Sequence, residues 1–141
     1  ETVKALVELG ADAHSQDMKG RTALHNASLW GYTETVKALA ELGTDMCMQD
    51  ECGDTALDIA VVREHIETVK ALVELGADVS IQDRNRCLLL HLVAKMGCAE
   101  TVRMIVDRGA NVCAHDNDGR TALHEAARWG HTEMVKVLVE L

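Results

Sequence analysis

Proline and phenylalanine are absent from this sequence, and its aromatic residues are limited to one tyrosine and two tryptophans in 141 residues. Hydrophobic residues nevertheless make up 48% of the chain. A core built from them must therefore be aliphatic, filled by Leu, Val, Ala and Met side chains. The chain is long enough to bury such a core, and its hydrophobic content with charges of both signs argues against a disordered segment.

Positive charge is also scarce, since 14 basic side chains stand against 23 acidic ones and the formal net charge is -9. Binding to nucleic acid requires a concentrated basic face that releases counterions from the phosphates. The charge balance therefore disfavours nucleic acid and an anionic membrane surface as partners. No apolar run approaches the ~20 residues of a membrane-spanning helix, so we also expect no membrane insertion.

The 141 residues also contain no CxxC motif and no pattern typical of a secretory signal. The chain opens at Glu1 without a basic segment followed by an apolar one. Its cysteines form an odd set without a CxxC pair: Cys47, Cys52, Cys87, Cys98 and Cys113. Such a set suits free thiols in a reducing compartment better than a disulfide framework. We therefore expect a cytoplasmic (intracellular) location, with the targeting of any parent protein left open.

The sequence also lacks the common catalytic and cofactor-binding motifs. The strings GxGxxG, GxxxxGK(S/T), GxSxG and HExxH do not occur, and serine is confined to positions 15, 28 and 80. Each of these motifs places a phosphate-binding loop, a nucleophile or a pair of metal ligands where its chemistry needs it. We therefore predict that the chain is not an enzyme, and we expect no cofactor and no metal site.

What the sequence does contain is a repeat. The string GRTALH at residues 20–25 returns as GDTALD at 53–58, as GRTALH at 119–124 and, in degenerate form, as RCLLLH at 86–91. The string ETVKAL at residues 1–6 returns at 34 and 67, with relatives at 100 and 133. The spacing is 33 residues or a multiple of it (53 − 20 = 33, 119 − 53 = 66). Two independent strings with one period predict a repeat architecture from end to end.

Each period predicts two short antiparallel helices followed by a turn-rich finger. Thr22 is a hydroxyl N-cap for a first helix over Ala23–Leu29, and Gly31 can adopt the positive φ that closes it. Glu34 opens a second helix, which ends at Gly43. Neither helix is long enough to be stable alone. Each unit must therefore bury its apolar stripe against its neighbours, as in a solenoid.

The pattern D-x-x-G-x-T-A-L-H, then G-x-x-E-x-V, then L-G-A-D resembles the ankyrin repeat over the whole chain. The resemblance implies an all-α ankyrin-repeat solenoid of helix-turn-helix units with β-turn or hairpin fingers. We divide residues 1–141 as a single array: a partial repeat 1–16, repeats 17–49, 50–82 and 83–115, and a final partial repeat 116–141. Because both ends fall inside a repeat, we expect a fragment of a longer array.

Two repeats depart from the pattern. In repeat 83–115, Arg86 replaces the turn glycine and Leu88 replaces the cap threonine, and a missing cap costs about 1 kcal/mol. In the preceding repeat, Glu64 stands where the others have glycine, at positions 31, 97 and 130. We predict a locally weakened zone around residues 60–95, detectable as fast amide exchange. Burial of the leucines at 88–90 could instead offset the loss.

The resemblance also implies a function, which is to bind another protein through the finger tips and the concave face of the first helices. Trp30 and Trp129 are the strongest candidates, because large aromatic side chains anchor many interfaces. Arginines and lysines on this face predict an acidic or mixed-charge peptide partner. The positions that match the family's contact positions are Met18, Lys19, Arg21, Leu29, Trp30, Glu51, Cys52, Asp54, Arg63, Arg84, Asn85, Lys95, Met96, Asn117, Asp118, Arg120, Arg128 and Trp129.

Two other functions stay open at this point. The chain could be a regulatory or targeting segment of a larger multidomain protein, or a structural spacer that self-assembles end to end through uncapped terminal helices. The histidines at 25, 91 and 124 share one repeat position, and those at 65 and 131 share another. The resemblance assigns them structural hydrogen bonds rather than metal binding, and no HxxxH or CxxC spacing accompanies them.

Overall fold

A computed structural model describes residues 2–79 and 89–141 of the chain. All regular secondary structure in these two ranges is helical, which confirms the all-α expectation. The helices are α1 (Thr2–Glu8), α2 (Ala23–Leu29), α3 (Thr33–Glu41), α4 (Ala56–Val62), α5 (Ile66–Glu74), α6 (Leu89–Met96), α7 (Ala99–Asp107), α8 (Ala122–Arg128) and α9 (Thr132–Glu140).

The helices form two compact units, Glu1–Ala77 and Asp78–Leu141. In the first unit, α2 packs against α3 and α4, α5 packs against α3 and α4, and α1 packs against α3. In the second unit, α6 packs against α7 and α8, and α9 packs against α7 and α8. Each unit is therefore built from helix-turn-helix pairs in which first helices contact first helices and second helices contact second helices.

Three of the first helices, α2, α4 and α8, begin after a threonine N-cap. Thr22 is the N-cap of α2, as predicted, and its side chain forms a reciprocal capping box with His25. Thr55 forms the same box with Asp58 at α4, so an aspartate replaces the histidine there without loss of the cap. The predicted bounds of α2 are confirmed. Helix α3 instead begins at Thr33, one residue before the predicted Glu34, because the Val36 N–H already donates to the Tyr32 carbonyl.

The core of each unit is aliphatic, as the composition predicts. In the first unit, Leu24, Leu57 and Leu72 are at most 1% exposed. In the second, Leu90 and Ile105 are at most 2% exposed. Leu89 and Leu90 are buried, as the alternative of compensating burial requires, whereas residues 80–88, which include Arg86 and Leu88, lie outside the described residues.

The turn between the two helices of a repeat uses the left-handed backbone conformation. Gly31, Gly97 and Gly130 have φ values of 70°, 77° and 72°. Glu64 occupies the same repeat position with a φ of 58°, and it is the one non-glycine residue with positive φ in the described ranges. A side chain in this conformation brings its Cβ too close to the carbonyl oxygen that follows. Glu64 is therefore a point of local backbone strain, as its place in the repeat indicated.

Replacement of Glu64 by glycine should raise the free energy of unfolding by about 0.5–1 kcal/mol. Relief of the left-handed strain is worth about 1–2 kcal/mol, and the extra freedom of glycine in the unfolded chain offsets about half of it. Urea denaturation would measure the change. As a control, Glu67→Gly in the first turn of α5 should lower stability, because glycine there disfavours the helix. A lower urea midpoint for Glu64→Gly would contradict the prediction.

None of the helices in residues 2–79 and 89–141 combines the length and the apolar character needed to cross a membrane.

Candidate functional site

The fingers are tight turns organised by aspartate side chains. In the first, residues 17–21, the Asp17 carboxylate accepts the backbone N–H groups of Lys19 and Arg21 at 2.8 and 2.9 Å. The Gly20 N–H donates to the Asp17 carbonyl, which closes a β-turn. Residues 50–54 and 116–120 repeat this arrangement around Asp50 and Asp116. The finger tips are thus held in one conformation by bonds within each turn.

Neighbouring fingers in the first unit also contact each other. The Glu51 N–H donates to the Lys19 carbonyl at 2.9 Å. An added Cβ at Gly20 would lie 2.9 Å from the Glu51 nitrogen, so the two turns approach as closely as their backbones allow. The tips of fingers 17–21 and 50–54 therefore form one surface rather than two independent loops.

The finger aspartates have lowered pKa values. The hydrogen bond from the Arg21 backbone, with a further one from Lys19, stabilises the ionised Asp17 and lowers its pKa from the ordinary 3.8, although desolvation acts in the opposite direction. Asp116 is lowered in the same way, first by the Arg120 N–H. For Asp50, burial acts to raise the pKa, but the N–H groups of Asp54 and Cys52 and nearby positive charges outweigh it, so the pKa is again lowered.

Acid should therefore destabilise the fingers. A carboxylate with a lowered folded-state pKa contributes stability that is complete above its unfolded pKa and is lost as the pH falls through the folded value. We expect the free energy of unfolding to decrease from about pH 4 downward, the ordinary aspartate value being 3.8. Asp50→Asn keeps an acceptor oxygen but cannot ionise, so its urea midpoint should be lower at pH 7 and fall less steeply below pH 4. An unchanged slope would contradict this assignment.

Histidine side chains connect consecutive repeats within each unit. The Thr22 N–H donates to Nδ1 of His25, and Nε2–H of His25 donates to the Asp54 carbonyl at 3.0 Å. His65 Nε2 lies 3.1 Å from the Leu29 carbonyl in the same unit. In the second unit, His91 bonds to the Arg120 carbonyl at 2.8 Å and His131 to the Lys95 carbonyl at 2.7 Å. The structural role expected of these four histidines is confirmed.

The predicted binding residues of the first unit lie at two places. Met18, Lys19, Glu51 and Cys52 lie at the finger tips, where all four are exposed, and Met18 is 100% exposed. Leu29, Trp30 and Arg63 lie at the ends of first helices, Trp30 as the C-cap of α2 and Arg63 as that of α4. Arg21 and Asp54 are half-buried, and the Arg21 Nε lies 3.6 Å from the Asp50 carboxylate. Val62, which the sequence argument omitted, is 63% exposed at the end of α4.

In the second unit, five of the predicted residues line a cleft of about 310 Å³. It lies along α6, α8 and the finger 116–120, and Trp129 stands at its rim as the C-cap of α8. The predicted residues in its lining are Lys95, Asp118, Arg120, Arg128 and Trp129, and those that the sequence argument missed are His91, Leu92, Asp116 and Glu125. Helical spacing could have indicated two of the latter, because Leu92 and Glu125 precede Lys95 and Arg128 by three residues and so share their helix faces.

The charges of this cleft are arranged in two groups. At the finger end, Arg120 donates to Asp118 at 3.2 Å and lies 3.6 Å from Glu125. At the Trp129 end, the Lys95 ammonium lies 5.4 Å and the Arg128 guanidinium 5.9 Å from the indole centroid, both within the range of cation–π attraction. Arg120 is therefore paired with carboxylates of the cleft, and the Trp129 ring lies within cation–π range of Lys95 and Arg128.

The other predicted residues have simpler positions. Every described member of the set is exposed or half-buried. Met96 is half-buried at the end of α6, and Asn117 is exposed on the finger 116–120; neither lines the cleft. Arg84 and Asn85 lie outside the described residues.

Groups that could hold a metal ion are limited in the described part of the chain to Asp50, Cys52 and Asp54. The Asp50 carboxylate already accepts the backbone N–H groups of Cys52 and Asp54 at 2.9 and 3.0 Å. The finger turn that these three residues form therefore accounts for their proximity. The cysteines at 47, 52, 98 and 113 are free thiols, and Cys87 lies outside the described residues.

Comparison with known protein families agrees with the repeat found in the sequence. The family model described as "Ankyrin repeats (3 copies)" matches residues 1–83 and again residues 81–141. No curated protein matches the chain. Ankyrin repeats are generally modules of protein–protein interaction, and the family is a non-enzymatic interaction fold. The two matches together cover the sequence, and the chain belongs to the ankyrin-repeat family.

Proposed function

We propose that the chain is a protein-binding scaffold that contacts its partner through the finger tips and the ends of the first helices. The family's general role in protein–protein interaction supports this proposal. So does the exposure of large apolar side chains at those positions. Met18 lies at a finger tip, and Trp30 and Trp129 lie at the ends of first helices.

The observation that carries the proposal is the exposure of the two tryptophans. Trp30 and Trp129 occupy the same repeat position, 99 residues or three periods apart (129 − 30 = 99), and are 66% and 51% exposed. A tryptophan side chain can bury 150–250 Å² at an interface, roughly as much as any residue offers. Exposed indoles at a repeated position are thus strong candidates for binding anchors.

Preorganisation is the mechanism that this surface offers. The finger turns are held by aspartate carboxylates, and histidine bridges tie consecutive repeats to each other within each unit. A surface already held in its bound conformation loses little conformational entropy on association. The free energy of each contact can then contribute to affinity instead of to ordering the scaffold.

Affinity capture from a lysate of the source cells, quantified by mass spectrometry, tests the proposal. The native chain is compared with a Trp30→Ala/Trp129→Ala variant, which should lose a partner that the native chain retains. Loss of an anchor side chain typically costs about 2 kcal/mol or more, which is at least roughly thirtyfold in affinity. Arg120 is left intact because its bonds to Asp118 and Glu125 belong to the structure of the cleft.

The matched control is a Tyr32→Ala/Val139→Ala variant. Tyr32 and Val139 are 60% and 69% exposed but lie outside the proposed surface. The Tyr32→Ala/Val139→Ala variant should retain the same partner as the native chain. Retention of the partner by the tryptophan variant, or equal loss from both variants of equal stability, would contradict the proposed surface.

Self-association through the terminal helices is a second candidate function. No residue of α1 is buried, Leu6 is 53% exposed, and Val139 on α9 is 69% exposed. These two apolar faces could meet between copies of the chain. Light scattering over a range of concentrations tests this: a mass that rises with concentration and returns to the monomer value in Leu6→Glu supports the spacer function, and a constant monomer mass excludes it.

A further inference from the structure

A histidine joins the bases of the first two fingers. The Asp45 N–H donates to Nε2 of His14 at 3.0 Å, which connects the segment before one finger turn to the segment before the next. At the tips of the same two fingers, the Glu51 N–H donates to the Lys19 carbonyl at 2.9 Å. The finger pair therefore has a base joint that a side chain makes and a tip joint that backbone atoms make alone.

The direction of the hydrogen bond distinguishes the base joint from the other histidine bridges. In the described part of the chain, four histidines bridge repeats by placing Nε2 against a backbone carbonyl: His25, His65, His91 and His131. A carbonyl oxygen can only accept, so these four rings donate. The Nε2–H that each bridge needs is present in the neutral ring and in the protonated one.

His14 has the opposite role. A backbone N–H can only donate, so Nε2 of His14 is the unprotonated nitrogen and Nδ1 carries the hydrogen. Protonation of the ring places a second N–H at Nε2, where it faces the Asp45 N–H and the bond is lost. Histidine is the side chain whose ordinary charge change falls between about pH 5 and 8. The base joint is therefore present only while the His14 ring is neutral.

Acidic residues lie on both sides of the base joint. Nδ1 of His14 lies 3.9 Å from the Asp12 carboxylate, which also accepts the His14 backbone N–H at 2.9 Å. In the neighbouring repeat, the Asp45 carboxylate accepts a backbone N–H of its own turn. The adjoining helices α1 and α3 contribute an ion pair of Lys4 with Glu41. A protonated His14 thus keeps Asp12 as a partner when it loses the Asp45 N–H.

We propose that His14 is a pH-sensitive joint between the first two repeats. The neutral ring binds the Asp45 N–H of the next repeat, and the protonated ring releases that N–H and pairs with Asp12 of its own repeat. The tip joint contains backbone atoms only, so it stays closed. Mild acid therefore loosens the finger pair at its base and leaves the tips joined. This inference concerns the scaffold and does not depend on which partner binds it.

Two NMR measurements on the full chain test the joint. Nitrogen chemical shifts at about pH 8 should show the ring hydrogen of His14 on Nδ1 and that of His25, whose Nδ1 accepts the Thr22 N–H, on Nε2. Protection of the Asp45 amide from exchange with water is then compared with the intrinsic rate at each pH. It should fall roughly two- to tenfold between about pH 8 and 5, as expected for the loss of one hydrogen bond. Protection of the Glu51 amide should stay constant.

Variants separate the joint from other effects of acid. In His14→Gln the side-chain amide oxygen can accept the Asp45 N–H but cannot titrate, and in His14→Ala no acceptor remains. In both variants, protection of the Asp45 amide should no longer depend on pH. The matched control is His115→Gln, which removes an exposed histidine of the second unit and should leave the pH dependence at Asp45 unchanged.

The proposal is overturned by an Asp45 amide equally protected across this pH range, or by a His14 ring that carries its hydrogen on Nε2 when neutral. A pH dependence that persists in His14→Ala would also overturn it, because the titrating group would then be another one. An equal loss of protection at Glu51 would show that acid opens the whole finger pair, which contradicts a joint confined to the base.

Discussion

Replacing His25 with alanine is expected to lower the free energy of unfolding by about 2–4 kcal/mol. The ring is 1% exposed and links two repeats. Its loss removes the bond to the Asp54 carbonyl and leaves the Thr22 N–H, which donates to Nδ1, without its acceptor. Each buried polar group left unsatisfied costs about 1–3 kcal/mol, and the vacated volume adds to this. Urea denaturation followed by circular dichroism would measure the loss.

His124 provides the control for this prediction. It occupies the same repeat position and forms the same bonds to its capping threonine, Thr121, but it is exposed. His124→Ala should therefore cost only the capping contribution, about 1 kcal/mol. Equal losses for the two variants would show that the bridge to Asp54 adds nothing to stability.

Replacing Gly97 with alanine is expected to cost about 2 kcal/mol. Gly97 has a φ of 77°, which penalises any side chain, and an added Cβ would lie 2.7 Å from Nδ1 of His131. The ring cannot move aside without losing its bond to the Lys95 carbonyl. The left-handed conformation accounts for about 1–2 kcal/mol, and the lost hydrogen bond for about 0.5–1.5 kcal/mol. The smaller conformational freedom of unfolded alanine offsets part of the sum.

Gly130 separates the two causes. It has the same repeat position and a similar φ of 72°, but an added Cβ would meet no atom within 4 Å. Gly130→Ala should therefore show the backbone effect alone and cost roughly half as much as Gly97→Ala. Urea midpoints at equal m-values would give the comparison. If both variants lose the same stability, the contact between the added Cβ and the His131 ring does not contribute to the loss in Gly97→Ala.

The sequence pattern of the repeats is in line with this steric argument. Gly31 and Gly97 are each followed 34 residues later by a histidine (65 − 31 = 34, 131 − 97 = 34). Glu64 is followed at the same interval by Cys98 (98 − 64 = 34). Glycine and histidine thus occur together in the repeats, and where the glycine is replaced the histidine is also replaced.

Local rules account for the parts of the fold that the sequence predicts well. The start of α2 depends on Thr22 and His25, which lie three residues apart, so the capping box can be recognised without tertiary information. The start of α3 was misplaced by one residue because its N-cap, Tyr32, forms no side-chain cap bond. The charge of Glu34 was then the clearest local sign of the helix, and it marks the first turn and not the first residue.

The candidate site was predictable in composition but not in arrangement. The family pattern predicted Lys95, Arg120 and Trp129 as contact positions from the repeat spacing, and all three line the cleft. It could not identify Glu125 as a partner of Arg120, because that contact depends on which rotamer the guanidinium adopts in the cleft. Arg21 was predicted to contact a partner. In the structure it is half-buried, and its Nε lies 3.6 Å from the Asp50 carboxylate. This position depends on packing between neighbouring repeats, which the sequence pattern does not show.

The sequence by itself determined the period, the caps, the aliphatic core and the strained turn at Glu64, because each follows from side chains close in the chain or from composition. Only the tertiary structure decided which side chains of the cleft contact one another, such as Arg120 with Asp118 and Glu125. Lys95 and Arg128 lie one period apart in the chain (128 − 95 = 33) and share the Trp129 ring. The physical reason is that α6 packs against α8, so residues at equivalent repeat positions become neighbours whose side-chain conformations are set by their contacts.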